Sequence, residues 1–594
     1  MAQATCFGDA MNYKKIVPGN TSMARVKKQN LLFVDKTMYI DWLENDAATD
    51  VPVFMRPRRF GKTSFTVLLN DYYDIARKTS FEENFAGTWI GAHKTARASS
   101  YCCLSFDFSI VSSKPGQVLS SFIAVLASGL RNFSIAYPDF GLPIGKLDPS
   151  LYASPSELMI KFFDHFLFAS CGRARLYVII DEYDHFANEV LSRDKAEFRR
   201  ITSTAEDNEG FIKQFYACLK AYFGGDPRRP VEKFFITGVS SVSLDSITSG
   251  FNIANDISGR RECAAMVGLT HGELSQVIDE TVDFSRIHGV DKAGLIEVME
   301  RQFDGYLFSD EPCVESVFNT DMCLNYLNEV IRMGRLPDRA QDIFISADSA
   351  KLRGMMNLAE PSARDKVSNL ILGRKNVPAA LPERLNLNQV DYFYFNGLVS
   401  LLKYLGYLSF AKGSGSAGDS VEYRCPNEVY YQIFVRYFER RCGITQAMEI
   451  DLSDMASEKA DIAPLLRSVE EEISDLPDTG FALFNEKTLQ MCFNFAVRTD
   501  SSGKLRPLLE ADTGGHGRAD LVVMNSNPAG RNFLFELKYI PKGKRTDAAV
   551  AARLEEAKAQ IREYKAAPKI AAIPRLDCWA IVFSGDRAAA FEKA

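Results

Sequence analysis

Residues 51–65 read VPVFMRPRRFGKTSF: a short apolar run, a turn rich in arginine and glycine, and the start of a helical pattern. A strand that turns through Gly61, Lys62 and Thr63 into a helix supplies what a phosphate chain needs. Backbone N–H groups lie at a helix N-terminus, a lysine reaches the β and γ phosphates, and a hydroxyl meets magnesium. The general G-x-x-x-x-G-K-[ST] pattern would put its first glycine at position 56, where this chain has Arg56. Taken alone, the tripeptide reads better as an ordinary loop lysine. A second stretch shifts that balance. LYVIIDEYD at 176–184 is a buried-type apolar run ending in Asp181 and Glu182, where one carboxylate can hold magnesium through water and the next can polarise the attacking water. The other reading is a strand end with a solvated acidic turn. The long separation of the two motifs accommodates an additional strand at 101–108 between them. A third strand ends at Thr237, in FFITGVSSVSLDSITSGFN (234–252), where a polar side chain could sense the γ phosphate or orient water; the alternative is a strand cap before a serine-rich loop. Arg260 and Arg261 lie on a loop and read as surface.

Outward from these motifs, near-continuous apolar runs occur at 51–55, 101–108, 176–180, 233–237 and 264–269. Stretches with helical spacing, such as 63–76 and 156–169, lie between them, which is the pattern of an α/β domain with a parallel sheet over about 30–275. From 276 to 390 apolar residues recur at three and four, and a helical region is expected. Next come a helix-like NGLVSLLKYLGYLSF, a Gly/Ser loop at 411–420 and a strand-like VEYRC at 421–425. That is the order of a winged helix, or of a plain hairpin beside a helix. An acidic stretch, DLSDMASEKAD (451–461), reads as linker or exposed helix. After it the pattern gives a helix (480–497), strands (505–511, 519–524, 532–538), a helix (547–566) and a strand (577–583), a small separate α/β domain.

Composition agrees with several globular domains in one 594-residue chain: 46% of residues are hydrophobic and 25% charged, with a net charge of −6. Such mild acidity excludes a protein coated in positive charge, so any nucleic-acid contact needs a local basic groove. The twelve cysteines are scattered without a C-x-x-C pair, which indicates neither a zinc knuckle nor a disulfide framework. No signal-peptide pattern opens the chain, and no uninterrupted apolar run of about 18 residues occurs. The expectation is a soluble, intracellular protein with no membrane segment.

In the last section, ADTGGHGRADLVVMNSNPAGRNFLFELKYI (511–540) holds Asp520 near the start of one strand and Glu536 with Lys538 near the end of the next. Residues two apart on a strand face one side, and a hairpin-like pairing could bring Asp520 beside them. Two carboxylates can bind a divalent metal while the lysine positions the nucleophile. Apolar Leu534, Phe535 and Leu537 make these charges expensive unless they face a site. The plainer reading is an ion pair on an edge strand. Glu486 begins a helix upstream, Glu510 ends a strand, and Gln560 and Tyr564 sit one turn apart downstream. Segment 536–577 carries ten basic and six acidic residues, a local net +4, with Lys542, Lys544 and Arg545 directly after the strand. His516, in the turn before Asp520, reads as surface.

On these residues the chain resembles the AAA-ATPase-like family that carries a PD-(D/E)XK nuclease-like domain at its C-terminus. The resemblance runs through VPGNTS, FVDKT, RPRRFGKT, IIDEYD, FITGVSSVSLDSITSGFN, GLTHGEL, FDGYLF, LLKYLGYLSF with CPNEVY, GRADLVV and FELK. RPRRFGK is the family's form of the phosphate loop, which accounts for Arg56. The resemblance implies a P-loop NTPase domain over 1–275, a helical region over 276–390, a winged-helix-like region over 391–450 and a PD-(D/E)XK nuclease-like domain over 451–594. It implies ATP bound through Arg59, Gly61, Lys62, Thr63, Ser64, Asp181 and Thr237, with Mg²⁺ at Thr63 and Asp181 and Glu182 acting on water. In the last domain it implies Asp520, Glu536 and Lys538 as the nuclease core, with Glu486 and Gln560 in support. Mg²⁺, or Mn²⁺ in its place, would lie at Glu486, Asp520 and Glu536. DNA or RNA would be the substrate, and a homo-oligomer stays open. The family's Asn-Pro is replaced by VESVFNT (314–320), a departure expected to lie away from the chemistry. The resulting expectation is a nucleotide-regulated, metal-dependent nuclease; the alternative is an ATP-switched scaffold whose nuclease-like domain binds without cutting.

Overall fold

The structure is a computed structural model and describes residues 13–594 except 18, 20, 46, 48, 203–209, 241–250, 338–351, 381–392, 414–419, 442–449, 475–483, 502, 515–516 and 528. The chain divides into two compact units. One comprises 1–347, 354–364 and 376–430; the other comprises 348–353, 365–375 and 431–594.

The first unit is built on five parallel strands: β1 (Pro52–Met55), β2 (Cys102–Asp107), β3 (Leu176–Asp181), β4 (Val231–Gly238) and β5 (Asn255–Asp256), in the order β2-β3-β4-β1-β5. Every residue of β1 and β3 is buried, as their unbroken apolar runs require. The helix Pro155–Ser170 shows how the sheet is covered. Ser154 caps it by accepting from the Glu157 N–H, Leu158, Met159, Phe162, Phe163 and Phe166 form its buried face, and it stops at Cys171 in left-handed backbone. Each of these phenylalanines contributes roughly 1.5–3 kcal/mol by leaving water. The helix Val118–Ala136 has the length and apolarity of a membrane span, with a mean hydropathy of 1.5. Its Phe122 and Phe133 nevertheless pack against Phe108, Phe215 and Phe162 of this unit.

Two expectations need correction here. The fifth strand is Asn255–Asp256, not 264–269. Backbone bonds from Asn255 N to Val51 O and from Ile257 N to Val53 O take the free edge of β1. The apolar 264–269 segment is buried outside any strand, so its hydrophobicity reports burial and not a ladder. The strand inserted between β1 and β3 is β4, and β2 lies on the outer side of β3.

The helices His271–Thr281, Lys292–Phe303 and Thr320–Met333 fill the expected helical stretch. That stretch also contains a strand, β6 (Val377–Ala380), whose four residues are too few for a period-2 signal. β6 pairs with β8 (Ser420–Arg424), which pairs with β7 (Ser409–Phe410). The helix Phe395–Tyr404 precedes β7 and β8 in the chain.

In the second unit β9 (Leu505–Asp512), β10 (Arg518–Asn525), β11 (Asn532–Ile540), β12 (Leu576–Ser584) and β13 (Arg587–Lys593) form a mixed sheet in the order β13-β12-β11-β10-β9, with only β11 and β12 parallel. β13, RAAAFEK, has no fully buried residue, so no apolar run marks it in the sequence. The acidic stretch is neither linker nor exposed helix, since it holds the short helix Ser453–Ala456 with Leu452, Met455 and Ala456 buried.

Candidate functional site

The two clusters lie in different units. In the first, parallel pairing sets Phe54 beside Thr237 and Ile180 beside Ile236, so Met55, Asp181 and Thr237 lie together at the carboxyl ends of their strands. Ligands of open parallel sheets bind at such carboxyl ends. The chain then turns through Gly61, with φ +101, into the helix Lys62–Tyr73, whose start has no side-chain cap. Glycine is favoured at that φ, and the uncapped N–H groups are free to meet an anion.

Lys62 is only 4% exposed. Its Nζ donates to Arg56 O at 3.1 Å and Pro57 O at 3.3 Å, and lies 3.2 Å from Glu182 Oε1. Asp181 Oδ1 accepts from Glu182 N at 3.0 Å, while Asp181 Oδ2, Glu182 Oε2 and Thr237 Oγ1 are buried without partners. Burial pushes Asp181 up to about 6. Burial would raise Glu182 as well, but Lys62, Arg58 and His185 outweigh it and hold that carboxyl below its usual range. Glu182 also carries a left-handed φ of +51, a strained backbone of the kind found at functional sites. Ser64 is exposed on the first helical turn, and Arg59 sits in the loop at φ +73. A cleft of about 300 Å³ opens beside Thr63 and Asp181, with Asn70, Ser105, Asp107 and Asn132 in its wall.

Arg56 explains its own departure from the glycine pattern. It is 2% exposed, donates to Met55 O, Ser258 O and Cys263 O at 2.9, 2.7 and 3.0 Å, and stacks between Phe54 and Phe308. Its side chain is a strut behind the loop. The VESVFNT departure, expected to lie away from the chemistry, in fact grips the phosphate loop. Asn319 Nδ2 donates to Arg58 O (3.3 Å), Asp321 N to Arg59 O (3.0 Å), and Thr320 Oγ1 to Phe60 O (3.0 Å). Three consecutive loop carbonyls are thereby occupied, which leaves N–H groups for a ligand. No local pattern announces a contact spanning some 260 residues.

In the second unit, β10 and β11 pair Leu521 with Phe535 and Val522 with Leu534, and the next pair in that register sets Asp520 opposite Glu536. Lys538 follows on the same side and donates to Glu536 Oε1 at 2.9 Å. Asp520, Glu536 and Lys538 are 8%, 1% and 3% exposed. Leu537 N donates to Asp520 Oδ2 at 2.7 Å, and Gln490 Nε2 donates to Oδ1. Glu486 lies 3.7 Å from Lys538 Nζ and accepts from Tyr539 N. Burial and then mutual repulsion raise Glu536, and burial raises Asp520. Burial would lower Lys538, but the surrounding carboxylates more than offset it and raise its pKa. Gln560 Oε1 is buried without a partner on the helix Asp547–Lys565. One turn on, the Tyr564 pKa is raised by burial and then by Glu536 and Asp520, so that helix overlies the cluster. His516 and the loop 241–250 lie outside the described residues.

Among the described residues no three His, Cys, Asp or Glu side chains are grouped to hold a metal. Magnesium is commonly held by one or two carboxylates, with water and phosphate oxygens completing the shell. The orphaned oxygens of Asp181 and Glu536 fit that mode. Sequence reading missed Gln490 and Lys487. Gln490 lies four residues after Glu486, so helical spacing alone could have placed it on the same face.

A strand–phosphate loop–helix with a carboxylate strand one strand away in the same sheet, and a mixed sheet bearing an Asp, Glu-x-Lys cluster, define a P-loop NTPase joined to a nuclease fold. Residues 18–248 match the model of the predicted AAA-ATPase family, and residues 509–592 match that of the PD-(D/E)XK nuclease superfamily. The chain thus carries an AAA-ATPase-like domain and a PD-(D/E)XK nuclease superfamily domain. No curated protein matches it. Among solved structures, the Walker-type ATPase PABY2304 of Pyrococcus abyssi is similar at 13% identity and a TM-score of 0.38, over 67% of this chain and 94% of that one. The Aeropyrum pernix ORC2 protein, solved as ADPNP-ADP complexes, is similar at 12% identity and a TM-score of 0.27, over 72% and 97%.

Proposed function

We propose that the protein is a nucleotide-regulated, metal-dependent nuclease: ATP binds the AAA-ATPase-like domain, and the PD-(D/E)XK domain cleaves phosphodiesters of DNA or RNA. The division at 275, 390 and 450 into NTPase, helical, winged-helix-like and nuclease domains belongs to the same reading. The observation that carries it is the burial of Asp520, Glu536 and Lys538 side by side on two paired strands, where three charges are costly without a chemical use.

In the first domain, Lys62 and the N–H groups of the helix start bind the phosphates, Thr63 and Asp181 hold Mg²⁺, Glu182 orients water and Thr237 senses the γ phosphate. In the second, Asp520 and Glu536, with Glu486 at the rim, hold Mg²⁺ or Mn²⁺, which when bound activates water and offsets charge on the phosphorane-like transition state. Lys538 positions the nucleophile, and Gln560 supports Glu536. Exposed Lys544 and Arg545, directly after the strand, meet substrate phosphates. Metal-dependent cleavage of labelled DNA or RNA, lost in Asp520→Ala and Lys538→Ala proteins that still fold, is the expected result. Cleavage retained by Asp520→Ala refutes the assignment.

One observation favours the second reading, an ATP-switched scaffold. Lys538 already neutralises Glu536 at 2.9 Å, so the cluster can persist without a cation. Nucleotide binding with no cleavage under any metal condition would establish that reading.

A further inference from the structure

The nuclease cluster has a second layer, and it reaches Asp520 through a single amide. Gln490 is 1% exposed on the helix Glu486–Arg498 and donates from Nε2 to Asp520 Oδ1. Its other end, Oε1, accepts from Lys487 Nζ at 3.2 Å. An ammonium can only donate. Lys487 therefore selects which end of the amide faces it, and the NH₂ end is left for the carboxylate. Lys487 is itself held by an ion pair with Glu510. β9 and β10 pair Ala511 with Ala519 and Leu509 with Leu521, so Glu510 stands abreast of Asp520 on the neighbouring strand. Glu510 is 6% exposed and adopts a left-handed φ of +49, a conformation that surrounding contacts must enforce. With Leu537 N on Oδ2, both oxygens of Asp520 are tethered and the carboxylate cannot turn.

We propose that Gln490 is a positioning residue of the nuclease site, fixing the Asp520 carboxylate for a divalent cation, and that the Lys487–Glu510 pair sets the orientation of the Gln490 amide. The proposal rests on the nuclease reading of Asp520 and extends it by three residues. The order of action is definite: Glu510 holds Lys487, Lys487 orients Gln490, and Gln490 holds Asp520. Outer partners of this type are worth 10–100-fold in metal affinity.

The test is calorimetric titration of Mn²⁺ into the full chain without nucleotide, with circular dichroism as the check on folding. The wild type is expected to bind and Asp520→Ala to lose binding. Gln490→Leu, which keeps volume and removes the amide, and Lys487→Met should each weaken Mn²⁺ about 10–100-fold. Lys487→Arg, which keeps a donor, should restore most of the affinity. The double variant should bind no more weakly than Gln490→Leu alone, because Lys487 acts through Gln490. Wild-type affinity in folded Gln490→Leu, or losses that multiply in the double variant, would overturn the proposal while leaving the nuclease reading intact. If Gln490→Leu does not fold, the Lys487→Met and Lys487→Arg pair decides the question. A wild-type protein that binds no Mn²⁺ and cleaves nothing overturns both readings.

Discussion

Replacing Arg56 by glycine restores the residue that the general phosphate-loop pattern expects, and it should nevertheless damage the protein. The guanidinium donates to three carbonyls, Met55 O, Ser258 O and Cys263 O, and lies 4.4 and 4.2 Å from the ring centres of Phe54 and Phe308. Arg56→Gly takes the guanidinium from all three; Cys263 O keeps the Met266 N–H, and the other two lose their side-chain donor. At about 1–3 kcal/mol for each of those two, the loss is about 2–6 kcal/mol if the space stays dry. Water entering the space lowers this and the lost contacts with the two rings add about 1–2 kcal/mol, so about 3–5 kcal/mol is expected. The measurement is urea unfolding followed by tryptophan fluorescence in a Trp579→Phe background, where Trp42 and Trp89 report only on the first unit. With a slope near 3 kcal/mol per molar urea, the midpoint should fall by about 1–1.7 M. A midpoint within about 0.2 M of the parent would refute the strut, and Arg56 would then be a tolerated surface-type replacement.

Other consequences follow from the same contacts. Asn319→Ala combined with Thr320→Ala removes two bonds to phosphate-loop carbonyls and the cap of the helix Thr320–Met333; at about 0.5–1.5 kcal/mol for each bond, the unfolding midpoint should fall, and ATP affinity measured by fluorescent-nucleotide titration on the folded protein should fall with it. Burial raises Asp181 to about 6, from an ordinary aspartate value near 4. A carboxyl raised in the folded state stays protonated where the unfolded chain ionises, so stability is lost as pH climbs from about 4 to 6, and the penalty reaches about 3 kcal/mol above that window. Asp181→Asn lacks the penalty, so nucleotide-free thermal scans should show its advantage over the parent growing with pH across the window and then levelling. In the second unit, Glu536→Gln removes the carboxyl that burial and Asp520 push upward; without divalent metal it should stabilise the protein most at high pH, and metal should reverse the order of the two proteins.

What the sequence made legible is what local spacing sets. Gly61, Lys62 and Thr63 follow a buried run and begin a helix, and Asp181 ends a later run of the same kind, so one dimension suffices to find them. The Glu-x-Lys pair is equally local, because strand period alone puts Glu536 and Lys538 on one side. Asp520 needed a hairpin register, and the short connection between β10 and β11 made that register easy to guess. Positions set by distant segments stayed hidden. Asn319 and Thr320 reach the phosphate loop across some 260 residues, and β5 carries no apolar signal because its two polar residues only complete an edge. The apolar 264–269 run misled because burial outside a ladder looks the same as burial inside one. Glu510 was legible as a carboxylate at a strand end, but Lys487 reads as an ordinary charge until the fold joins the two beside Asp520.

The most direct test of the central claim is cleavage of end-labelled single- and double-stranded DNA and RNA by the full chain in Mg²⁺ or Mn²⁺, with and without ATP, beside Asp520→Ala and Lys62→Ala proteins. A nuclease governed by nucleotide predicts cutting that requires metal, disappears in Asp520→Ala, and responds to ATP in the parent but not in Lys62→Ala. Cutting that survives Asp520→Ala, or no cutting by a protein that binds ATP, would contradict it.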